Sequence, residues 1–298
     1  MKPALIIGST CVDVIINISH LPKTGEDIHP DSQSMALGGC AFNVAYAMEL
    51  LKAPYTLISP VGGGTYGDYA AKQLTSLGIP LQIRVPDQEN GCCYCLVEAS
   101  GERTFLSLHG VEYTFQKSWM EPYPSENYHF AYVCGLEIEE KTGIHLIEYL
   151  EGQKNLEVFY APGPRGARIS PEKRARMLAL HPFLHLNEQE AMELSGQTQY
   201  EKAARHLQAA TKNAVVVTLG NRGAFCLKKD GTGRLFPPAP VKAIVDTIGA
   251  GDTHAGAILA CLTKGKPLEE AVAYANRMAA AVVKVRGASL PPGLIPHF

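Results

Sequence analysis

Asp246-Thr247-Ile248-Gly249-Ala250-Gly251-Asp252 joins an extended run, Val241–Val245, to an apolar helical stretch, Thr253–Leu262. A glycine-bearing loop that feeds a helix start has a physical use. Glycine lets backbone approach a ligand closely, and the unpaired N–H groups of the first helical turn point at an anion. The helix dipole adds partial positive charge at the same end. A carboxylate in that turn, Asp252, is electrostatically comfortable and is expected to be ionised at neutral pH, able to accept a proton from an attacking hydroxyl. Fixed donors for a moving phosphoryl group and a base for its nucleophile are the two parts that phosphoryl transfer requires. An isolated Gly-x-Gly-Asp would read as a helix cap; the full string carries more.

Before this stretch, strand candidates at Phe130–Cys134, Leu156–Tyr160, Phe183–Leu186 and Ala214–Leu219 alternate with helical patterns near 142–150, 171–180, 187–194 and 199–211. Two long helical patterns, near 250–263 and 268–284, close the chain. That rhythm predicts an α/β fold with a doubly wound, mostly parallel sheet and helices on both faces. The first third is richer in strands and glycine. Extended segments are expected at Ala4–Gly8, Val12–Ile18, Asp27–Ala36 and Thr56–Val61, and helices at Ala41–Leu51 and Tyr66–Leu77. Cys93–Glu98 and Arg103–Ser107 alternate around Ser100-Gly101, a hairpin signal. The early extended segments, within 11–36 and 92–108, are expected to leave the main sheet as a small β lid within a single domain spanning 1–298.

Composition narrows the function classes. The 298 residues carry 27 basic and 29 acidic side chains, a formal net charge of −2, without the basic excess of a nucleic-acid binder. No stretch approaches the apolar length that crosses a bilayer, and Met1–Ser9 lacks the form of a signal peptide, so the expected location is the cytoplasm. Most of the eight cysteines sit in apolar runs and read as small buried hydrophobes. Cys92, Cys93 and Cys95 invite a metal reading, but no second Cys/His pair with zinc spacing follows, and a plain strand with Cys93 and Cys95 on one face is expected.

The segment 246–252 resembles the C-terminal signature, Asp-Thr-x-Gly-Ala-Gly-Asp, of the ribokinase-like (PfkB-type) carbohydrate kinases. Other segments resemble that family in order from residue 8 to about 288. The resemblance implies Asp252 as catalytic base, with Gly249, Ala250 and Gly251 forming an anion hole. Gly38-Gly39-Cys40-Ala41-Phe42-Asn43 resembles the N-terminal signature, so that Gly38, Gly39 and Asn43 would bind substrate, together with Asp13 after the first strand and Glu137 after Cys134. Asn187-Glu188-Gln189-Glu190 resembles the Asn-x-x-Glu motif, which places Asn187 near nucleotide and Glu190 in the magnesium environment; the same residues also spell a capping box. Thr218, Gly220 and Gly223 resemble the turn beside the nucleotide, and Asn276 an Asn near the adenine. Asp246 and the loop around Arg286-Gly287-Ala288 are the implied position for a monovalent cation, usually potassium. His254 stands where family members usually carry Phe, and reads as packing. Arg165 lies in a loop that departs from the family pattern, with Ala161 in place of its acid.

The implied cofactors are ATP and Mg2+. The implied partners are a small sugar or nucleoside and a second copy of the chain through the lid. A furanose or ketohexose such as ribose or fructose leads, with a nucleoside next. A sugar phosphate follows, disfavoured because no basic residue lies between 24 and 51. A non-catalytic sugar sensor would have no use for Asp252 and its glycines. One segment points elsewhere: Gly62-Gly63-Gly64-Thr65-Tyr66-Gly67 satisfies the dinucleotide fingerprint, with Asp87 twenty residues on. A dehydrogenase would leave 246–252 unexplained. No Walker A pattern occurs.

Overall fold

Strand β1 (Ala4–Ile7) is buried along its whole length, and its side chains alternate between two cores. Ala4 and Ile6 enter one apolar cluster, Leu5 and Ile7 the other. A strand that is apolar on both faces belongs in the middle of a covered sheet. The computed structural model, which describes residues 1–298, places it there.

The remaining strands of the first half are β2 (Cys11–Ile18), β3 (Ser32–Gly38), β4 (Tyr55–Ile58), β5 (Pro60–Gly63), β6 (Ile83–Glu89), β7 (Cys92–Glu98) and β8 (Arg103–Leu108). The second half adds β9 (Phe130–Cys134), β10 (Glu157–Ala161), β11 (Phe183–Asn187), β12 (Val215–Thr218), β13 (Ala224–Leu227) and β14 (Gly233–Phe236). The main sheet has eight strands in the order β14-β13-β12-β11-β10-β9-β1-β4. β4 through β12 run parallel, and β13 and β14 extend the edge as antiparallel strands. Helices Gly143–Glu151, Pro171–Ala179, Glu188–Ser195 and Tyr200–Thr211 supply the core on one face. Helices Cys40–Leu50, Ala250–Thr263 and Leu268–Val282 supply the other.

A separate four-stranded sheet, β3-β2-β7-β8, is built from the early segments. Its register puts Asp13, Cys93 and Ser107 directly opposite one another, hence on one face. Arg103 lies opposite Val97 and Asn17 on that same face. β5 and β6 form a third, two-stranded sheet.

Some expectations need correction. Thr56–Val61 is not one strand: β4 and β5 belong to different sheets, and the chain changes direction at Ser59. Regular pairing in the expected 27–36 segment begins only at Ser32. Val241–Val245 is irregular, with Ile244 and Val245 exposed, and not a strand leading into the helix. The glycines at 62–67 pack backbone against backbone. A side chain on Gly62 would strike the Gln88–Asn90 backbone, and one on Gly67 the carbonyl of Gly62. That close packing explains the glycine run, which lies off the main sheet and its strand ends.

Candidate functional site

Helix Ala250–Thr263 starts from Gly249, whose φ of 71° no other residue adopts easily. A Cβ on Gly249 would also strike Ala288. Ala250, Gly251 and Asp252 are therefore the first three helical residues. The Ala250 amide donates to Thr247 O at 3.3 Å, so it is only partly free; those of Gly249, Gly251 and Asp252 make no backbone hydrogen bond. They are the orphan donors that a helix start leaves for an anion. A Cβ on Gly251 would meet nothing within 4 Å, so this turn faces open space.

Asp252 is half-buried, and its Oδ2 accepts a hydrogen bond of 2.8 Å from Asn43 Nδ2. Burial pushes its carboxyl above the usual range, and hydrogen bonds from Asn43 and Cys40 pull it partly back. Because Asn43 gives its N–H to a carboxylate, its Oδ1 is fixed as the acceptor, and that atom is buried without a protein partner. Asn43 is brought there by Gly39, with φ of 97°, which opens helix Cys40–Leu50. A Cβ at Gly39 would lie 2.5 Å from Ser9 O. Gly38 has the matching task for Asp13, since a side chain there would overlap the Asp13 carboxylate. Burial, and next to it the charges of Asp252 and Asp246, push Asp13 up to about 6 against a hydrogen bond from Cys11. Asp13, Gly38, Gly39, Asn43 and Asp252 thus surround one cleft between the small sheet and the helix start.

Beside Asp13 lie the thiols of Cys93 and Cys95, 3.8 Å apart, with one ligand-type atom from each of the three residues within 4.8 Å of the others. The hydrogen bond from Cys95 draws the Cys93 thiol down to about 7.

On the other side of Gly251 is a cavity of about 460 Å3, a size that takes a nucleotide-scale ligand. Thr218, Gly220, Gly223 and Asn276 line it, as do Ala250 and Gly251. It opens at the carboxyl ends of the parallel strands, where open α/β sheets bind ligands. Asn276 lines it with its amide already committed. Nδ2 donates to Phe236 O at 3.2 Å and Pro237 O at 2.9 Å, so Oδ1 must accept from His254 Nε2 at 3.1 Å. His254 Nδ1 is then an acceptor, and the His185 Nε2–H donates to it at 2.9 Å. Burial lowers His254 to about 4 and His185 well below its usual value, so both rings are neutral. His254 therefore fixes the orientation of Asn276, which holds the 236–237 wall of the cavity.

Asn187 and Thr218 are register partners at the ends of β11 and β12. Asn187 Oδ1 accepts from Glu190 N at 2.8 Å, and Glu190 Oε2 accepts from Asn187 N at 2.9 Å, a full capping box. Burial raises the Glu190 carboxyl, the Asn187 bond lowers it, and the charge of Asp252 raises it further, so Glu190 lies within the electrostatic reach of Asp252.

Two expected site residues accept hydrogen bonds from the backbone. Glu137 is fully buried; its Oε1 accepts the Ser9 N–H at 2.8 Å behind Gly8, which fixes the 8–10 turn, and its Oε2 has no protein partner. Asp246 Oδ1 accepts from Arg103 and, at 2.7 Å, from Ile248 N, while Oδ2 accepts from Gly287 N at 2.8 Å. Burial alone would push Asp246 up, but these donors hold it below the usual carboxylate range. Arg165 pairs with Glu139 at 3.2 Å in a different loop. Sequence reading missed Arg103 because its contact spans 143 residues and no spacing rule connects a hairpin arginine to that loop. It missed Gly256 as well; a glycine in mid-helix is the signal for a close approach.

Comparison with known proteins agrees with this architecture. The model for "pfkB family carbohydrate kinase" matches residues 1–293. An uncharacterised sugar kinase of Escherichia coli K12, YegV, is 33% identical over 296 residues, covering 98% of this chain and 91% of the relative. The crystal structure of ribokinase from Thermotoga maritima superposes with a TM-score of 0.86 at 25% identity, covering 99% and 96% of the two chains. Arabidopsis thaliana ribokinase complexed with ribose and ATP gives a TM-score of 0.82 at 22% identity, covering 99% and 96%, which speaks to the fold. With the match running nearly end to end, the chain belongs to the pfkB family of carbohydrate kinases and is an ATP-dependent sugar or nucleoside kinase.

Proposed function

We propose that this kinase transfers the terminal phosphoryl group of ATP to a hydroxyl, expected to be primary, of a small sugar such as ribose or fructose, with Asp252 as general base. The observation that carries this reading is the Asn43–Asp252 hydrogen bond of 2.8 Å, in the turn whose free amides face the open cavity. Asp13 and the unpartnered Asn43 Oδ1 are acceptors for sugar hydroxyls, and the glycines at 38–39 let a flat ligand lie against backbone. The reacting hydroxyl gives its proton to Asp252 Oδ1 or Oδ2 as its oxygen bonds to phosphorus. The bond from phosphorus to the bridging oxygen breaks, and the leaving charge falls on ADP. The amides of Gly249, Gly251 and Asp252, with the half-engaged amide of Ala250, stabilise the oxygens of the moving group.

Thr218, Gly220 and Gly223 form the nucleotide wall, and Asn276 positions its far side. Asn187 closes the phosphate end through its capping box. A hard cation takes oxygen ligands and retains water. Glu190 fits its outer environment, since only Oε2 is spent on the capping box. Bound Mg2+ would neutralise phosphate charge.

An ATP-consumption screen over pentoses, hexoses, nucleosides and sugar phosphates tests the substrate assignment. Highest kcat/KM on a free pentose or hexose is expected. Preference for a nucleoside replaces the sugar with that class, and no consumption with any acceptor rejects the catalytic reading. Asp252→Asn should keep ATP binding while turnover falls at least about 100-fold. Near-normal turnover removes Asp252 as the base.

A further inference from the structure

Arg103 is the basic side chain that the small sheet sends into the cleft. It leaves β8 on the same face as Asp13 and reaches Asp246 across the gap between the sheets. Its side chain is 19% exposed and that of Asp246 5%, so the pair is largely withdrawn from solvent. Asp246 in turn organises the phosphate turn: it binds the Ile248 amide on one side and the Gly287 amide on the other, immediately before Gly249.

This is also where the family resemblance implies a monovalent cation. Such an ion needs a shell of oxygens. Both oxygens of Asp246 are already engaged, Oδ1 by the Arg103 guanidinium and the Ile248 amide and Oδ2 by the Gly287 amide, so a cationic group already stands against the carboxylate. The residues present do not fit a monovalent cation.

We propose that Arg103 is a tethered cation, a positioning residue that fixes Asp246 and the phosphate turn permanently, and that this kinase therefore works without potassium. The guanidinium neutralises a carboxylate that would otherwise oppose the incoming phosphates, and it ties the small sheet to the anion-binding turn. This rests on the kinase reading above for its activity arm only.

The test compares KCl, NaCl and tetramethylammonium chloride at matched ionic strength, so that general screening is constant. One readout is turnover of ATP with the acceptor found in the screen; the other is the melting temperature of the protein without nucleotide. Wild-type turnover should vary by less than about twofold among the three salts, and its melting temperature should show no potassium-specific rise. Arg103→Ala should lose about tenfold or more in tetramethylammonium, as breaking a largely buried charge pair does. Added potassium or millimolar guanidinium should restore part of that loss, and Arg103→Lys should retain most activity. A rescued rate separates the positional role from simple loss of folding. Potassium activation of the wild type by about fivefold or more, or potassium-specific stabilisation of it, overturns the proposal. So does an Arg103→Ala protein that is indifferent in every salt. If the wild type phosphorylates no acceptor in any salt, the kinase reading fails and melting alone decides: potassium should stabilise Arg103→Ala and not the wild type.

Discussion

Asp13 meets two other carboxylates in a cleft, and that crowding has a measurable sign. Its folded carboxyl is pushed from 3.8 up to about 6, chiefly by burial and then by Asp252 and Asp246. The folded protein therefore holds a proton that the unfolded chain releases. Its contribution to stability is fully present below 3.8 and is lost as pH rises through about 6. Asp13→Asn removes that dependence. The variant should melt close to the wild type at about pH 4.5 and clearly higher at about pH 8, while sugar affinity falls. Equal melting differences at both values would show that the carboxylate is not strained. The anion-hole glycines separate in the same way. Gly251 faces open space, so Gly251→Ala should leave stability unchanged or raise it by up to about 1 kcal/mol, yet lower turnover by crowding the phosphate. Gly249 has a positive φ and Ala288 against it, so Gly249→Ala should destabilise by about 1–3 kcal/mol in urea unfolding. The opposite pattern, with Gly251→Ala unstable but fully active per folded molecule, would remove the turn from the chemistry.

Two helices bring the residues of the site into register, and they do so through one glycine. A Cβ at Gly256 would lie 2.7 Å from Ala47 Cβ and 2.8 Å from Val44 O. Helix Ala250–Thr263 thus packs directly on helix Cys40–Leu50, one turn below the Asn43–Asp252 bond. Gly256→Leu keeps a good helix former but forces the axes apart. It should cost about 1–3 kcal/mol in denaturant unfolding and reduce kcat more than ATP affinity. Unchanged kcat in a folded variant would show that Asn43 and Asp252 are aligned by other contacts. The helix crossing itself has no sequence signal, because two helices separated by some two hundred residues share no local pattern. What was legible was local. β9 was expected over Phe130–Cys134, where it is, because five apolar residues are buried on both faces. β13 and β14 were overlooked although Asp230-Gly231 between two short runs is a hairpin signal; four-residue strands at a sheet edge carry little periodicity. The seven-residue phosphate turn was legible because its glycines and acids sit next to each other in the chain. Arg103 was not, because charge complementarity across the cleft exists only after the small sheet has folded over the main one.

At the scale of the whole molecule, the small sheet packs one face into the core through Val12, Val14, Leu37 and Cys92 and leaves its two edges open. Its outer strands, β3 and β8, carry unpaired backbone edges. Leu106 and Leu108, two residues apart on one face of β8, are each 59% exposed, and Met35 on β3 is 38% exposed. Exposed apolar side chains along free strand edges are suited to association. The resemblance implies a second copy of this chain as its occupant, and a homodimer through the small sheet is the expected solution state. Since the opposite face of that sheet carries Asp13 and Arg103, dimerisation would also hold the cleft wall in place. Sedimentation should give twice the chain mass, and the double substitution Leu106→Glu with Leu108→Glu should give a folded monomer with a raised KM for the sugar. A wild-type monomer at micromolar concentration would sink the assembly. A monomeric variant with unaltered KM would leave the dimer standing but separate it from the shape of the cleft.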